Sequence, residues 1–210
     1  MTPYYEQNGI TIYHGDCREL LPYVAKVDAV VTDPPYGMSM NPNGKRFTKG
    51  GAVWDRMAGD NAEFDPSQIV GISDSCAIWG MNHFPRTLEP GGALVWVKRT
   101  AAAYGSFLSD AEIAWTKGNR GVYCFTDWNY LSEPRWHPTQ KPVSLLRWTI
   151  EKNATNAGTI LDPFMGSGTT LVAAKSLGRR AIGIEIEERY CEIAANRLAQ
   201  QVFNFSEETA

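Results

Sequence analysis

No stretch of this chain approaches the roughly 18 consecutive apolar residues of a membrane span, which argues against a transmembrane helix. The first residues, Met1 to Glu6, lack the basic flank and apolar run of a secretory signal. Cysteine is sparse: Cys17, Cys76, Cys124 and Cys191 lie far apart, with no Cys-x-x-Cys pair and no histidine cluster beside them. That argues against a disulfide framework and against any metal site, and points to a reducing cytoplasm. An excess of positive charge is missing too, since the net charge is −3. A strongly basic nucleic-acid binder is therefore not on offer, although the distribution is uneven. Residues 37–152 carry 13 Lys+Arg against 11 Asp+Glu, and the remainder carries 7 against 12. What is present is globular: 43% hydrophobic and 20% charged residues, with seven tryptophans and nine tyrosines. At 210 residues the chain fits one domain, 1–210, with a substantial core.

Short apolar runs alternate with helical patterns, which predicts an α/β fold with a mostly parallel, twisted sheet. Strands are expected over residues 10–14, 27–32, 76–79, 93–97, 159–161 and 181–184. Helices are expected over 18–24, 66–75, 143–152, 169–177 (closed by Gly178) and 187–202, with a helical turn at 84–88. Residues 112–116 and 121–127 read as an antiparallel hairpin added at one sheet edge. Residues 37–65 are too long for an ordinary connection and read as a functional, mobile loop. The end of the chain, 206–210, is expected to fray.

Two segments carry chemistry. The first is Ile160-Leu161-Asp162-Pro163-Phe164-Met165-Gly166-Ser167-Gly168-Thr169-Thr170. Asp162 ends a strand, where open α/β sheets place ligands. Gly166 and Gly168 let the backbone turn sharply, and Thr169 opens a helix. Seventeen residues past Gly168, the next strand ends at Gly183-Ile184-Glu185, and a carboxylate there can accept from both hydroxyls of a ribose. A nicotinamide oxidoreductase uses the same layout, but its third fingerprint glycine is Leu171 here. Asp162 would also repel a pyrophosphate. A cofactor bearing a sulfonium and an ammonium, S-adenosylmethionine, suits the carboxylate better. His14-Gly15-Asp16-Cys17 adds a third acid at a strand end, suited to an adenine amino group, with the Cys17 amide near a ring nitrogen.

The second segment is Thr32-Asp33-Pro34-Pro35-Tyr36. An exocyclic amine is a poor nucleophile because its lone pair is delocalised into the ring. Asp33 can accept one amino hydrogen and the Pro34 carbonyl the other. Pro34 and Pro35 fix consecutive φ angles and add no competing N–H. Tyr36 offers a flat ring for stacking. Catalysis would be positioning and electrostatics, with direct in-line transfer and no metal. The base would have to leave the duplex first, at a cost of a few kcal/mol.

With both segments in this order, the chain resembles the permuted (beta-class) amino-methylating DNA methyltransferases of the N6-adenine/N4-cytosine family. The resemblance implies a single Rossmann-like, S-adenosylmethionine-dependent domain in circularly permuted motif order. It assigns catalysis to Asp33, Pro34, Pro35 and Tyr36. Cofactor binding falls to Asp16, Cys17, Asp162, Pro163, Phe164, Gly166, Ser167, Gly168, Thr169, Glu185 and Ile186. Within His137-Pro138-Thr139-Gln140-Lys141-Pro142, Thr139 and Lys141 are implied to hold the methionine end. Asp at the first catalytic position goes mostly with adenine-N6 and Ser mostly with cytosine-N4, so Asp33 favours adenine. Cytosine-N4 methylation and a non-catalytic cofactor-binding subunit remain open alternatives.

The implied partner is intracellular double-stranded DNA, met in the cytoplasm by a prokaryotic or phage-encoded protein. The target-recognition region is reduced, covering only 99–136. Recognition then falls to the 37–65 loop, to the 112–127 strands, or to a second protomer in a homodimer. Lys45, Arg46, Lys49, Arg99, Arg120 and Arg135 are the candidate phosphate contacts.

Overall fold

The computed structural model describes residues 1–38, 64–84, 88–98, 104–105, 109–127 and 134–200. Most of the 37–65 loop, parts of the 99–136 region, the tail 206–210, and Lys45, Arg46, Lys49 and Arg99 lie outside the described residues.

The first half of the chain forms β1 (Tyr5–Gln7), β2 (Ile10–His14), α1 (Cys17–Leu20), β3 (Ala29–Thr32), α2 (Ser67–Val70), β4 (Cys76–Trp79) and β5 (Gly92–Val97). The second half forms β6 (Ala111–Lys117), β7 (Val122–Thr126), α3 (Val143–Asn153), β8 (Thr159–Asp162), α4 (Thr169–Ser176), β9 (Arg180–Glu185) and α5 (Glu188–Ala199). Single 3-10 turns cover Leu21–Tyr23 and Met81–His83. Pro22 is why α1 gives way after one turn, since it lacks an N–H for the helical ladder. The helix expected over 66–75 shrinks to α2, because Gly71 and the Ser73–Ser75 turns end it early.

Among the described residues the strands form one sheet in the order β1-β2-β9-β8-β3-β4-β6-β5-β7. Seven run the same way, and β1 and β6 run against them. Alternation along the strands divides the core. Ala29, Val31, Ala77, Trp79 and Ile160 face α3, α4 and α5, where Leu145, Ile150, Leu171, Cys191 and Leu198 meet them. Val30, Cys76, Ile78 and Leu161 face the other way, toward Ile69, Phe84 and Trp115. Four-residue strands with every side chain buried, such as β3 and β4, are the mark of a sheet covered on both faces. None of the described helices is long and apolar enough to cross a membrane.

The expected hairpin of 112–116 with 121–127 is corrected. Both strands exist, but β5 lies between them, antiparallel to β6 and parallel to β7. The link 118–121 steps across the start of β5, where Ala93 donates to the Gly121 carbonyl at 2.9 Å. Gly92 makes that crossing possible: a Cβ there would sit 2.4 Å from Asn119 O and 2.7 Å from Gly121 O. An antiparallel edge hairpin occurs instead at the opposite edge, where Asn8-Gly9 joins β1 to β2 with both residues at positive φ, as a two-residue turn of this kind demands.

Candidate active site

All the strand ends that matter lie at one end of the sheet. In-register pairing sets His14 beside Glu185, Asp162 beside Gly183, and Thr32 beside Ile78. Because β6 is reversed, its beginning lies at that end too, and Gly80 N donates to Ile113 O at 2.9 Å. Asp33 thus follows β3, and Asp162 ends the neighbouring β8. Thr32 Oγ1 donates to Asp162 Oδ1 at 2.7 Å, directly linking β3 to the glycine loop.

The glycine loop is held largely by backbone groups. Gly166 N donates to Glu185 Oε2 at 2.9 Å, and Glu187 N donates to Glu185 Oε1 at 2.8 Å. Gly168, at φ 78°, opens α4 and lies so close to α5 that a Cβ would be 2.7 Å from Ala194 Cβ. No other residue satisfies both demands. Asp162 is enclosed, accepting from Thr32, from Thr170 Oγ1 at 2.5 Å and from Phe164 N at 3.1 Å. Burial raises its pKa to about 6 against those bonds, and burial raises Glu185 to about 7. Asp16 caps α1 and pairs with Arg18, while Cys17 is buried and its thiol is pushed up to about 11, first by burial. Ile186 is exposed, its carbonyl 3.1 Å from His14 Nε2.

The Asp33–Tyr36 corner is held by side chains. Pro34 is buried. Asp33 Oδ1 accepts from the Tyr36 hydroxyl, and Asp33 Oδ2 takes Lys141 Nζ at 2.5 Å. The Tyr36 ring stacks on His83, centroids 4.4 Å apart and planes 13° from parallel. Burial, and then the Asp33 charge, push the Tyr36 pKa well above its usual value. Lys141 is 7% exposed. Burial alone would lower its pKa, but Asp33 and Glu112 overcome that and hold the ammonium charged. The Lys141 ammonium lies at Asp33, and the residue before it reaches the glycine loop.

Residues 137–142 join the two sides. Ser167 Oγ donates to Gln140 Oε1 at 3.2 Å, and the next residue is Lys141 on Asp33. His137 is T-shaped against Tyr190 at 4.5 Å and accepts from Thr139 N through Nδ1 at 3.3 Å. Burial, then Arg189 and Lys141, lower its pKa to about 4, so the ring is neutral as that bond requires.

Sequence reasoning missed Glu112, Lys98, Gln140, His83 and Arg197. Arg197 Nη1 reaches Ser167 O at 2.5 Å and Thr169 Oγ1 at 3.2 Å, clamping the loop from α5. That places the Ser167 and Thr169 side chains against α5. Nothing local marked these residues, because each acts across the fold. Arg135 is exposed beside the 137–142 segment. Arg120 lies in the link after β6, whose last residue, Lys117, pairs with Cys76 at the start of β4, at the end of the sheet opposite to Asp33 and Asp162.

Fit to a cofactor can be judged from the donor set. The carboxylates of Glu185 and Asp16, the acid Asp162 behind the glycine turn, and the absence of Lys or Arg from that turn suit a ribose and a cationic group better than a pyrophosphate. A sheet whose strand ends join this loop to an Asp-Pro-Pro-Tyr corner defines a Rossmann-like transferase acting on an amino group. Residues 108–196 match the family model for N6/N4 methyltransferases, described as DNA methylase. Over 93% of its length the chain is 31% identical to the type II methyltransferase M2.DpnII of Streptococcus pneumoniae, covering 92% of that protein. It is 27% identical to the DNA adenine methyltransferase YhdJ of Escherichia coli (strain K12), over 90% of this chain and 82% of that one. The solved structure of the cytosine-N4-specific PvuII DNA methyltransferase shares the fold, with a TM-score of 0.61, 16% identity, and 98% and 91% of the two chains covered. The chain belongs to the N6/N4 DNA methylase family.

Proposed function

We propose that this protein transfers the methyl group of S-adenosyl-L-methionine to the N6 amino group of a flipped-out adenine in double-stranded DNA. The carrying observation is the Asp33 carboxylate, one residue past β3 and joined through Thr32 and Asp162 to the glycine loop. When bound, the cofactor supplies an electrophilic methyl. Glu185 and Asp16 would hold its ribose and adenine, and the backbone of residues 163–169 would line its remainder. Asp162, buried behind three hydrogen bonds, orients that loop.

The chain's own groups do the rest. Asp33 accepts one hydrogen of the target amine, and the Pro34 carbonyl accepts the other. The nitrogen is thereby made more pyramidal, its lone pair is drawn out of conjugation with the ring and held toward the methyl, and the Asp33 charge favours the positive charge developing on that nitrogen. The Tyr36–His83 pair is the aromatic surface offered to the base, where stacking contributes roughly 1–3 kcal/mol toward the flipping cost. Adenine is favoured over cytosine because Asp, not Ser, opens the catalytic motif.

The test is transfer of a tritiated methyl by the purified chain to unmethylated DNA, followed by nucleoside analysis. N6-methyladenine is expected. N4-methylcytosine would overturn the base assignment, and no incorporation would favour a non-catalytic subunit.

A further inference from the structure

We propose that Glu112 is a positioning residue for Asp33, acting through the ammonium of Lys141 with Lys98 as its counterweight. This rests on the reading that Asp33 accepts a hydrogen from the target amine. Lys141 Nζ lies between two carboxylates, 2.5 Å from Asp33 Oδ2 and 3.0 Å from Glu112 Oε2. The other oxygen of Glu112 takes Lys98 Nζ at 2.7 Å. The result is a row of alternating charge, Lys98, Glu112, Lys141, Asp33, that closes on the Tyr36 hydroxyl.

The row has a mechanical and an electrostatic consequence. Glu112 stands on β6 opposite Trp96 of β5, and the next residue, Ile113, accepts from Gly80 N at 2.9 Å on the other side, so its backbone is fixed. Lys141 stands on the irregular segment before α3 and has no such support. Tethered from behind by Glu112, its ammonium meets Asp33 at a defined place. Without Glu112, two ammonium groups would face a vacated, largely buried spot, and Lys141 would move wholly onto Asp33. The carboxylate would then be turned from the amine it must meet. The charge states agree with this arrangement. Burial would raise the Glu112 pKa, yet Lys141 and Lys98 hold it down at about 2.

The experiment compares Glu112→Gln, which keeps size and removes charge, with Lys141→Met and with the double variant, on the full chain with DNA and S-adenosylmethionine. Glu112→Gln is expected to lower kcat roughly 10- to 100-fold, the scale of a small misplacement of a reacting group, with the cofactor Kd changed less than twofold. Because Glu112 acts through Lys141, the double variant should be no worse than Lys141→Met alone. Glu112→Asp should recover part of the loss. A kcat within twofold of the parent, or losses that multiply in the double variant, overturns the proposal. Should Glu112→Gln fail to bind cofactor, the same comparison is made with Glu112→Asp and Lys98→Met. Smaller losses, again absent on a Lys141→Met background, are then expected, and multiplying losses overturn the proposal. Asp33→Ala, run in parallel, separates the two levels. Retained transfer there refutes the catalytic reading itself, whereas lost transfer beside a normal Glu112→Gln refutes only the positioning role.

Discussion

The glycine loop and the catalytic corner sit on neighbouring strands yet are held by different means. Around the loop, the amides of Gly166 and Glu187 fix Glu185, the Phe164 amide joins two hydroxyls on Asp162, and close packing on Ala194 fixes the turn. At the corner, Asp33 is held by the side chains of Lys141 and Tyr36, and its two following prolines offer no N–H. Backbone donors persist whatever the neighbouring side chains are, which suits a site for an invariant cofactor. A carboxylate positioned by charged side chains can be tuned, which suits the reacting end. The difference implies that single substitutions should strike catalysis hardest at the corner, and binding or stability hardest at the loop.

The largest expected effect is at the corner. Asp33→Ala should cut kcat by at least about 10²–10³-fold, the scale seen when one preorganised electrostatic group is removed. Cofactor affinity measured by calorimetry should stay the same, and a parallel loss of both would erase the contrast between the two sides. Next comes Glu185→Ala, which removes charge-assisted bonds of roughly 1.5–3 kcal/mol each. The cofactor Kd should rise about 10- to 100-fold while kcat at saturation changes little.

The same residue gives a pH signature of known sign. Burial raises the Glu185 pKa from 4.5 to about 7, so between those values the folded chain keeps a proton that the unfolded chain has lost. Stability of the free protein should therefore fall as pH rises through that window and level off above it. Hydroxyl donors want the ionised form, so cofactor affinity should climb across the same window. Asp162, raised to about 6, adds its own fall at the lower end of that window, so Glu185→Gln should flatten the affinity curve and lessen the stability fall near pH 7, and a parent Kd indifferent to pH from about 5 to 8 would count against the ribose role.

Arg197→Ala should have a milder effect, releasing the clamp on Ser167 and Thr169 and costing about 1–3 kcal/mol in denaturant unfolding. Its kcat at saturating cofactor should stay within a few-fold of the parent. The smallest effects belong to the surface arginines. Arg135→Ala should weaken DNA binding and lower the salt slope by about one, while Arg120→Ala, at the wrong end of the sheet, should change neither.

Legibility in the sequence followed the range of the interactions. The alternation of buried runs and helices was readable, and so were the glycine turn and the proline corner, because each is a local pattern. The 112–127 strands were misread as a hairpin because a four-residue link between two strands normally pairs them. The small Gly92, silent by itself in the sequence, is what lets β5 slip between. Asn8-Gly9 was a readable turn signal, but β1 is only three residues long with one partly buried side chain, too little for a periodicity. Lys141 was singled out, yet its partner was not foreseen, since Asp33 is 108 residues away.

By itself, the sequence determined which atoms are available for chemistry: acids at strand ends, a backbone that can turn at Gly166 and Gly168, and two prolines that stiffen the carboxylate-bearing corner. Propensity and hydrophobic period act over a few residues, so these features are written where they occur. Only the tertiary structure decided who faces whom: Glu112 behind Lys141, Arg197 under the loop, Arg120 out of reach. Strand order and direction fix those meetings, and they depend on packing across the whole sheet.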